Sequence, residues 1–307
     1  MLTLRNLSLI SFFCRVARGV FVTKNAQLQI DVYHGPAVAV SYQGSTNLTF
    51  SPTTFTLIHS DHEAILVDSP VLNSDGEALA DWIAMTIPNK ALTGIYITHG
   101  HADHFLSAPV IQTRFPSARI LVKEDVYIHI NETLDPANFD PSWATLFPGV
   151  TAPTLHNVDV LPPSGSFQLE GHNLQALQVG ESDTVNTTVL YVPELATVVT
   201  GDVVYGHCYQ SLAEDLTVET RQQWLQSIAK VQALHPKFVI PSHALPTNDF
   251  GVEHFAQTIG YIKAWEKALT TAASWQELEG FLSRLYPGYG GDFILRYSAQ
   301  TVYNAAF

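Results

Sequence analysis

The 307-residue chain is predicted to fold as an α/β protein in which two mixed β-sheets pack face to face with helices on their outer faces. Two observations carry that prediction. Strand-like runs fall into two groups, and each group is followed by segments of helical periodicity. The composition, 46% apolar and 14% charged with no internal repeat or low-complexity stretch, suits one large core. A single domain is therefore expected over 31–307, preceded by an N-terminal extension over 1–30.

The elements are justified in chain order. Runs 37–42, 55–59 and 64–67 are short and β-prone and read as a meander, and 75–85 then places Leu79, Trp82 and Ile83 on one helical face. A buried strand is expected at 94–97, a helix at 105–115, a strand at 119–122 and a helix at 124–132. Segment 134–153 holds four prolines and little periodicity, so it reads as a long loop lying over the site as a lid. Strands follow at 166–169, 174–179, 188–192 and 197–200, then a helix at 218–234 and a strand at 238–240. Helices at 252–270 and 274–285 should pack outside, and the aromatic tail 286–307 should dock.

Chemistry concentrates at 98–104, Thr-His-Gly-His-Ala-Asp-His. Four potential metal ligands within six positions, directly after an apolar run, point to a metal site delivered on the loop at a strand end. Side chains at i and i+2 leave a strand on one side, so His99 and His101 can grip one ion, while Asp103 and His104 point toward a second. Two neighbouring metals are the natural expectation.

The H-x-H-x-D-H spacing resembles the signature of the metallo-β-lactamase superfamily, and other segments keep that family's order over roughly 36–265. Ile65-Leu66-Val67-Asp68 resembles its early strand ending in aspartate, and Thr200-Gly201-Asp202 resembles the strand end whose carboxylate bridges both metals. Val239 to His243 is similar to the late strand whose histidine binds the second metal, with Ser242 replacing the usual glycine. The resemblance implies a four-layer αββα sandwich. It also implies a ligand set of His99, His101, Asp103, His104, Asp202 and His243, with Asp68 orienting a ligating imidazole.

One position departs from the pattern. The family's Gly-His-Thr, whose histidine completes the first site, is replaced by Gly180-Glu181-Ser182-Asp183-Thr184. Glu181 falls at the expected position and is the first choice as substitute ligand; Asp183 is the second, and a weakened or empty first site is the third. A carboxylate there is a harder donor than imidazole, so two zinc ions are expected with Fe or Mn admitted more readily.

Charge narrows the partners. Fifteen basic against twenty-eight acidic residues give a net charge of −13, which argues against nucleic acid and for a small-molecule substrate. The apolar stretch 7–14 is too short to span a membrane, and it is flanked by Arg15 and Arg18 without a clear cleavage motif. A cytoplasmic protein is expected, with a secreted one as the alternative. Cys14 and Cys208 make no disulfide framework. Oligomeric state is not legible. His34, His59, His62, His129, His156, His172, His235 and His254 lack ligand spacing and read as ordinary histidines, whereas Tyr205 and His207, just after Asp202, are candidate substrate contacts.

The expected reaction is hydrolysis of an acyl bond (lactone, lactam, ester or thioester) by metal-activated hydroxide, with Asp103 holding the nucleophile or taking its proton. Asp202 stands where a B1-type β-lactamase carries cysteine, which disfavours antibiotic hydrolysis of that kind. The alternatives are a mononuclear Fe(II) oxygenase or redox enzyme built on His99, His101 and a carboxylate, and a non-catalytic metal-binding relative.

Overall fold

Four strands open the computed structural model, which describes residues 19–305 apart from 46 and 248. β1 (Gly19–Lys24), β2 (Gln29–His34), β3 (Thr54–His59) and β4 (Glu63–Val67) pair antiparallel in sequence order. The chain then crosses through α1 (Asn73–Thr86) to β5 (Ala91–Tyr96), through α2 (Ala108–Arg114) to β6 (Arg119–Val122), and through α3 (Glu124–Leu134), α4 (Pro136–Phe139) and α5 (Trp143–Leu146) to β7 (Val158–Val160). Each of these returns is parallel, so the first sheet is mixed, with seven strands in the order β1-β2-β3-β4-β5-β6-β7.

The second sheet takes β8 (Ser166–Leu169), β9 (His172–Gly180), β10 (Thr187–Val192) and β11 (Thr197–Val199) as antiparallel neighbours. After β12 (Tyr205–Gly206) and α6 (Val218–Gln232), β13 (Phe238–Ile240) adds parallel to β11. β14 (His243–Ala244) pairs parallel with β12, and α7 (Glu253–Leu269), α8 (Trp275–Leu285) and α9 (Asp292–Ala305) close the chain. α6 starts where Thr217 accepts the Thr220 N–H, and α8 where Ser274 accepts that of Glu277.

Strand alternation sorts the apolar side chains into layers. On β4, Ile65 and Val67 face the second sheet beside Leu174, Leu190 and Ile240, whereas Ala64 and Leu66 face outward to Leu79 and Ile83 of α1. On β10 and β13, Val189 and Val239 face outward against Trp224 and Ile228 of α6 and Trp265 of α7. Both faces of each sheet are thus covered, giving helices, sheet, sheet, helices: the four-layer sandwich expected. Both metal-motif strands, β5 and β11, end at the same edge of the sandwich, where their loops meet.

Several expectations change. Residues 19–24 belong to the first sheet as β1, so the chain enters the fold before residue 31, and the apolar stretch 7–14, with Cys14, lies outside the described residues. Residues 37–42 form isolated bridges, Ala39 with Thr49 and Tyr42 with Ser45, because Pro36 and the Gln43-Gly44 turn, both residues at positive φ, prevent a continuous ladder. The helix expected at 105–115 starts at Ala108, after a short 3₁₀ turn over Ala102–His104. The 134–153 segment contains α4 and α5, and the tail carries α9, with Phe293, Leu295 and Ala299 buried.

Candidate metal centre

β5 runs into Ile97 and Thr98 and delivers His99, His101, Asp103 and His104 onto the loop at its end. His99, Asp103 and His104 are buried, as are Asp202 at the end of β11 and His243 at the start of β14. Gly201 is needed before Asp202: its φ is +53°, and a Cβ there would lie 2.9 Å from Thr98 Oγ1. Two groups of ligand-type atoms lie within 4.8 Å of one another: His99, His101 and Asp183, and Asp103, His104 and His243. Asp202 lies between them, 3.3 Å from His104 Nε2 and 3.1 Å from His243 Nε2, and also groups with His99 and His104.

Outer hydrogen bonds aim the rings. Asp68 is buried at φ +62°, accepts the Thr98 backbone N–H and Oγ1–H, both at 2.9 Å, and lies 2.9 Å from His104 Nδ1. Because Thr98 Oγ1 gives its one hydrogen to Asp68, it accepts from His99 Nδ1–H at 3.0 Å, which turns His99 Nε2 inward as a lone pair. His243 Nδ1 donates to the Pro52 carbonyl at 3.2 Å. His101 has Asp183 at 3.0 Å from Nδ1 and Glu214 at 3.1 Å from Nε2.

The residues fit divalent ions. His99 Nε2, His104 Nε2, Asp103 Oδ2 and Asp202 Oδ1 are buried without a hydrogen-bond partner although they converge on one another. Donors of imidazole and carboxylate type at such density suit zinc-like cations. The electrostatics agree. Burial opposes ionisation of Asp202, but His243 and His104 outweigh it and hold its pKa far below the ordinary carboxylate value. Burial, then the charge of Asp202, pushes Asp183 up to about 6. Burial opposes a charge on His104 and His243 too, yet the facing carboxylates, Asp103 first for His104 and Asp202 first for His243, hold both well above the ordinary imidazole value. The cluster therefore demands positive charge.

The sequence profile described as "Metallo-beta-lactamase superfamily" matches residues 48–243. The chain belongs to that superfamily. It is 23% identical over 229 residues to the "Metallo-beta-lactamase type 2" of Bacteroides fragilis, covering 70% of this chain and 79% of that protein. Among solved structures, the metallo-beta-lactamase from Pontibacter korlensis superposes with a TM-score of 0.57 at 16% identity, over 80% of this chain and 99% of that one. The metallo-beta-lactamase FIM-1 from Pseudomonas aeruginosa in its mono-zinc form gives 0.53 at 17% identity, over 80% and 95%. These likenesses agree with the sandwich fold.

Against the superfamily pattern, the residue brought to His99 and His101 is Asp183, and Glu181 joins none of the groups. The reason lies in the backbone: β9 ends at Gly180, φ +110°, and Ser182 N–H bonds the Thr184 carbonyl, a turn that buries Asp183 and leaves Glu181 half-buried beside Glu214. Glu214, which no motif announces, fixes His101 while accepting Thr184 Oγ1–H at 2.7 Å; burial opposes its charge, but His101 pulls it down to about 2. Tyr205 gives its hydroxyl hydrogen to Asp202 Oδ2 at 2.8 Å and stacks on His243. His207 does not line the cavity: its φ of +58° ends β12 and turns the ring to His254 and Tyr289.

The cluster floors a cavity of about 480 Å³ walled by Phe50, Trp143, Leu146, Phe293 and Tyr297, with α4 and α5 forming one side. His129 on α3, read from sequence as ordinary, also lines it with its ring 5.9 Å from that of His101. The described lining residues include no lysine or arginine, but they do include Glu132 and Glu214.

Proposed function

We propose that the chain is a metal-dependent hydrolase, binuclear in zinc, that cleaves the acyl bond of a small, uncharged, apolar or aromatic ester, lactone or lactam. The observation that carries this reading is the pair of ligand groups meeting at Asp202 on the floor of an aromatic cavity. His99, His101 and Asp183 would hold one ion, Asp103, His104 and His243 the other, with Asp202 between. Such ions, when bound, supply a water of lowered pKa and a Lewis acid for the carbonyl.

The chain's own groups do the rest. Asp103, buried beside His243 and lining the cavity, takes the proton of the attacking water on its carboxylate. Asp68 and the Pro52 carbonyl hold His104 and His243 in register, and Tyr205 does so for Asp202. Phe50, Trp143 and Phe293 exclude water and seat an apolar group. Glu132 and Glu214 disfavour a carboxylate-bearing substrate, and the described lining holds no lysine or arginine to bind one. The test is a panel of neutral aryl esters and lactones beside carboxylated analogues of the same size. Higher kcat/KM for the neutral members is expected; a consistent preference for the anionic ones contradicts the substrate class.

A second reading has its own support. His99, His101 and Asp183 alone have the composition of a two-histidine, one-carboxylate iron site. One iron per chain with oxygen uptake would favour it, whereas the convergence of Asp103, His104 and His243 favours two ions.

A further inference from the structure

Away from the central cluster, ligand-type atoms of His207, Asp249 and His254 lie within 4.8 Å of one another. They come from three places: the residue after β12, the loop between β14 and α7, and the first turn of α7. None of the three lines the central cavity. His254 is buried, and Gln257 Oε1 lies 3.0 Å from its Nδ1, an arrangement that holds the ring with Nε2 facing Asp249. That nitrogen is 3.1 Å from the Asp249 carbonyl oxygen and 3.9 Å from Oδ1. The His207 ring stands edge-on to His254 with centroids 6.0 Å apart, backed by Tyr289.

Asp249 Oδ1 also accepts the Gly251 N–H at 3.1 Å, which fixes its carboxylate on the loop. Two imidazoles and a carboxylate therefore converge there from three separate segments, with the Asp249 main-chain carbonyl at hand.

We propose that His207, Asp249 and His254 bind a divalent ion of the zinc type, separate from the central cluster. With Nδ1 donating to Gln257 Oε1, the Nε2 lone pair of His254 is the one offered to the ion. Its position gives it a structural role. β12 and β14 pair Tyr205 with His243 and Gly206 with Ala244, and the ion ties together the segments leaving both strands. It thereby braces the two strands that carry Tyr205 and His243 into the central cluster.

The test counts zinc. The full chain, stripped by a chelator and re-equilibrated with zinc alone, is weighed by native mass spectrometry beside His207→Ala, Asp249→Asn and His101→Ala. The expected result is one zinc fewer than the parent in His207→Ala and in Asp249→Asn. Asp249 is half-buried on a loop, so its variant carries the test if His207→Ala does not fold. A loss of one zinc in either folded variant supports the site, and an undiminished count in both overturns it. His101→Ala reports on the central cluster independently, so failure of either site is distinguishable from failure of the other.

Discussion

Asp183 and Glu181 stand two positions apart on one turn, yet only Asp183 is buried against His101. Asp183→Asn is therefore expected to lose about one ion per chain, measured by metal analysis after dialysis, and Glu181→Gln to keep the full complement. Asp215 makes a different prediction. Burial first, then the charges of Asp183, Glu181 and Glu214, pushes its carboxyl up to about 9 from an ordinary 3.8. The folded state then binds a proton that the unfolded state releases, so this residue's stabilising share is full below about pH 4 and is lost as pH rises toward 9. Asp215→Asn should flatten that decline, whose limit is about 1.4 kcal/mol per pH unit. Denaturant unfolding between those pH values in a chelating buffer checks it, since there no ion at Asp183 relieves the repulsion. At this scale the grouping was legible where candidate ligands share one loop: His99, His101, Asp103 and His104 fall within six positions of the chain. The choice between Glu181 and Asp183 was not, because it depends on how the chain turns after Gly180, and Glu214 reaches His101 from 113 residues away.

Among the elements, α5 matters most for substrate. It places Trp143 with its ring 6.2 Å from that of His101 and 6.1 Å from Phe50, at the mouth of the ligand cluster. Trp143→Ala should raise KM for an aromatic ester roughly tenfold with a smaller effect on kcat, because it removes uniform binding surface. Steady-state kinetics separates the two; an unchanged KM would remove α5 from the binding surface. That 134–153 lies beside the site was legible from its prolines, whereas α4 and α5 were not, being four residues each and too short to show a period. β1 was missed for a related reason. Its Val20-Phe21-Val22 is a three-residue apolar run, too short to show a period, and all six of its residues are at least partly exposed.

For the molecule as a whole, the sandwich puts the ends of β5, β11 and β13 at one edge, and this single fact gathers the candidate ligands spread from His99 to His243. The layers were legible where strand runs and helical stripes agree, as at β3 to β5, β8 to β11 and α6 to α8. The net charge of −13 and a described cavity lining without lysine or arginine agree with the uncharged substrate proposed. Among the described residues, no helix is long and apolar enough to cross a membrane. The most direct measurement is the rate at which the full chain hydrolyses a neutral aryl lactone, first stripped by a chelator and then with zinc restored. The account predicts no hydrolysis from the stripped protein and recovery on zinc addition. An undiminished rate without metal, or no hydrolysis after zinc is restored to any member of a neutral ester and lactone panel, would contradict it.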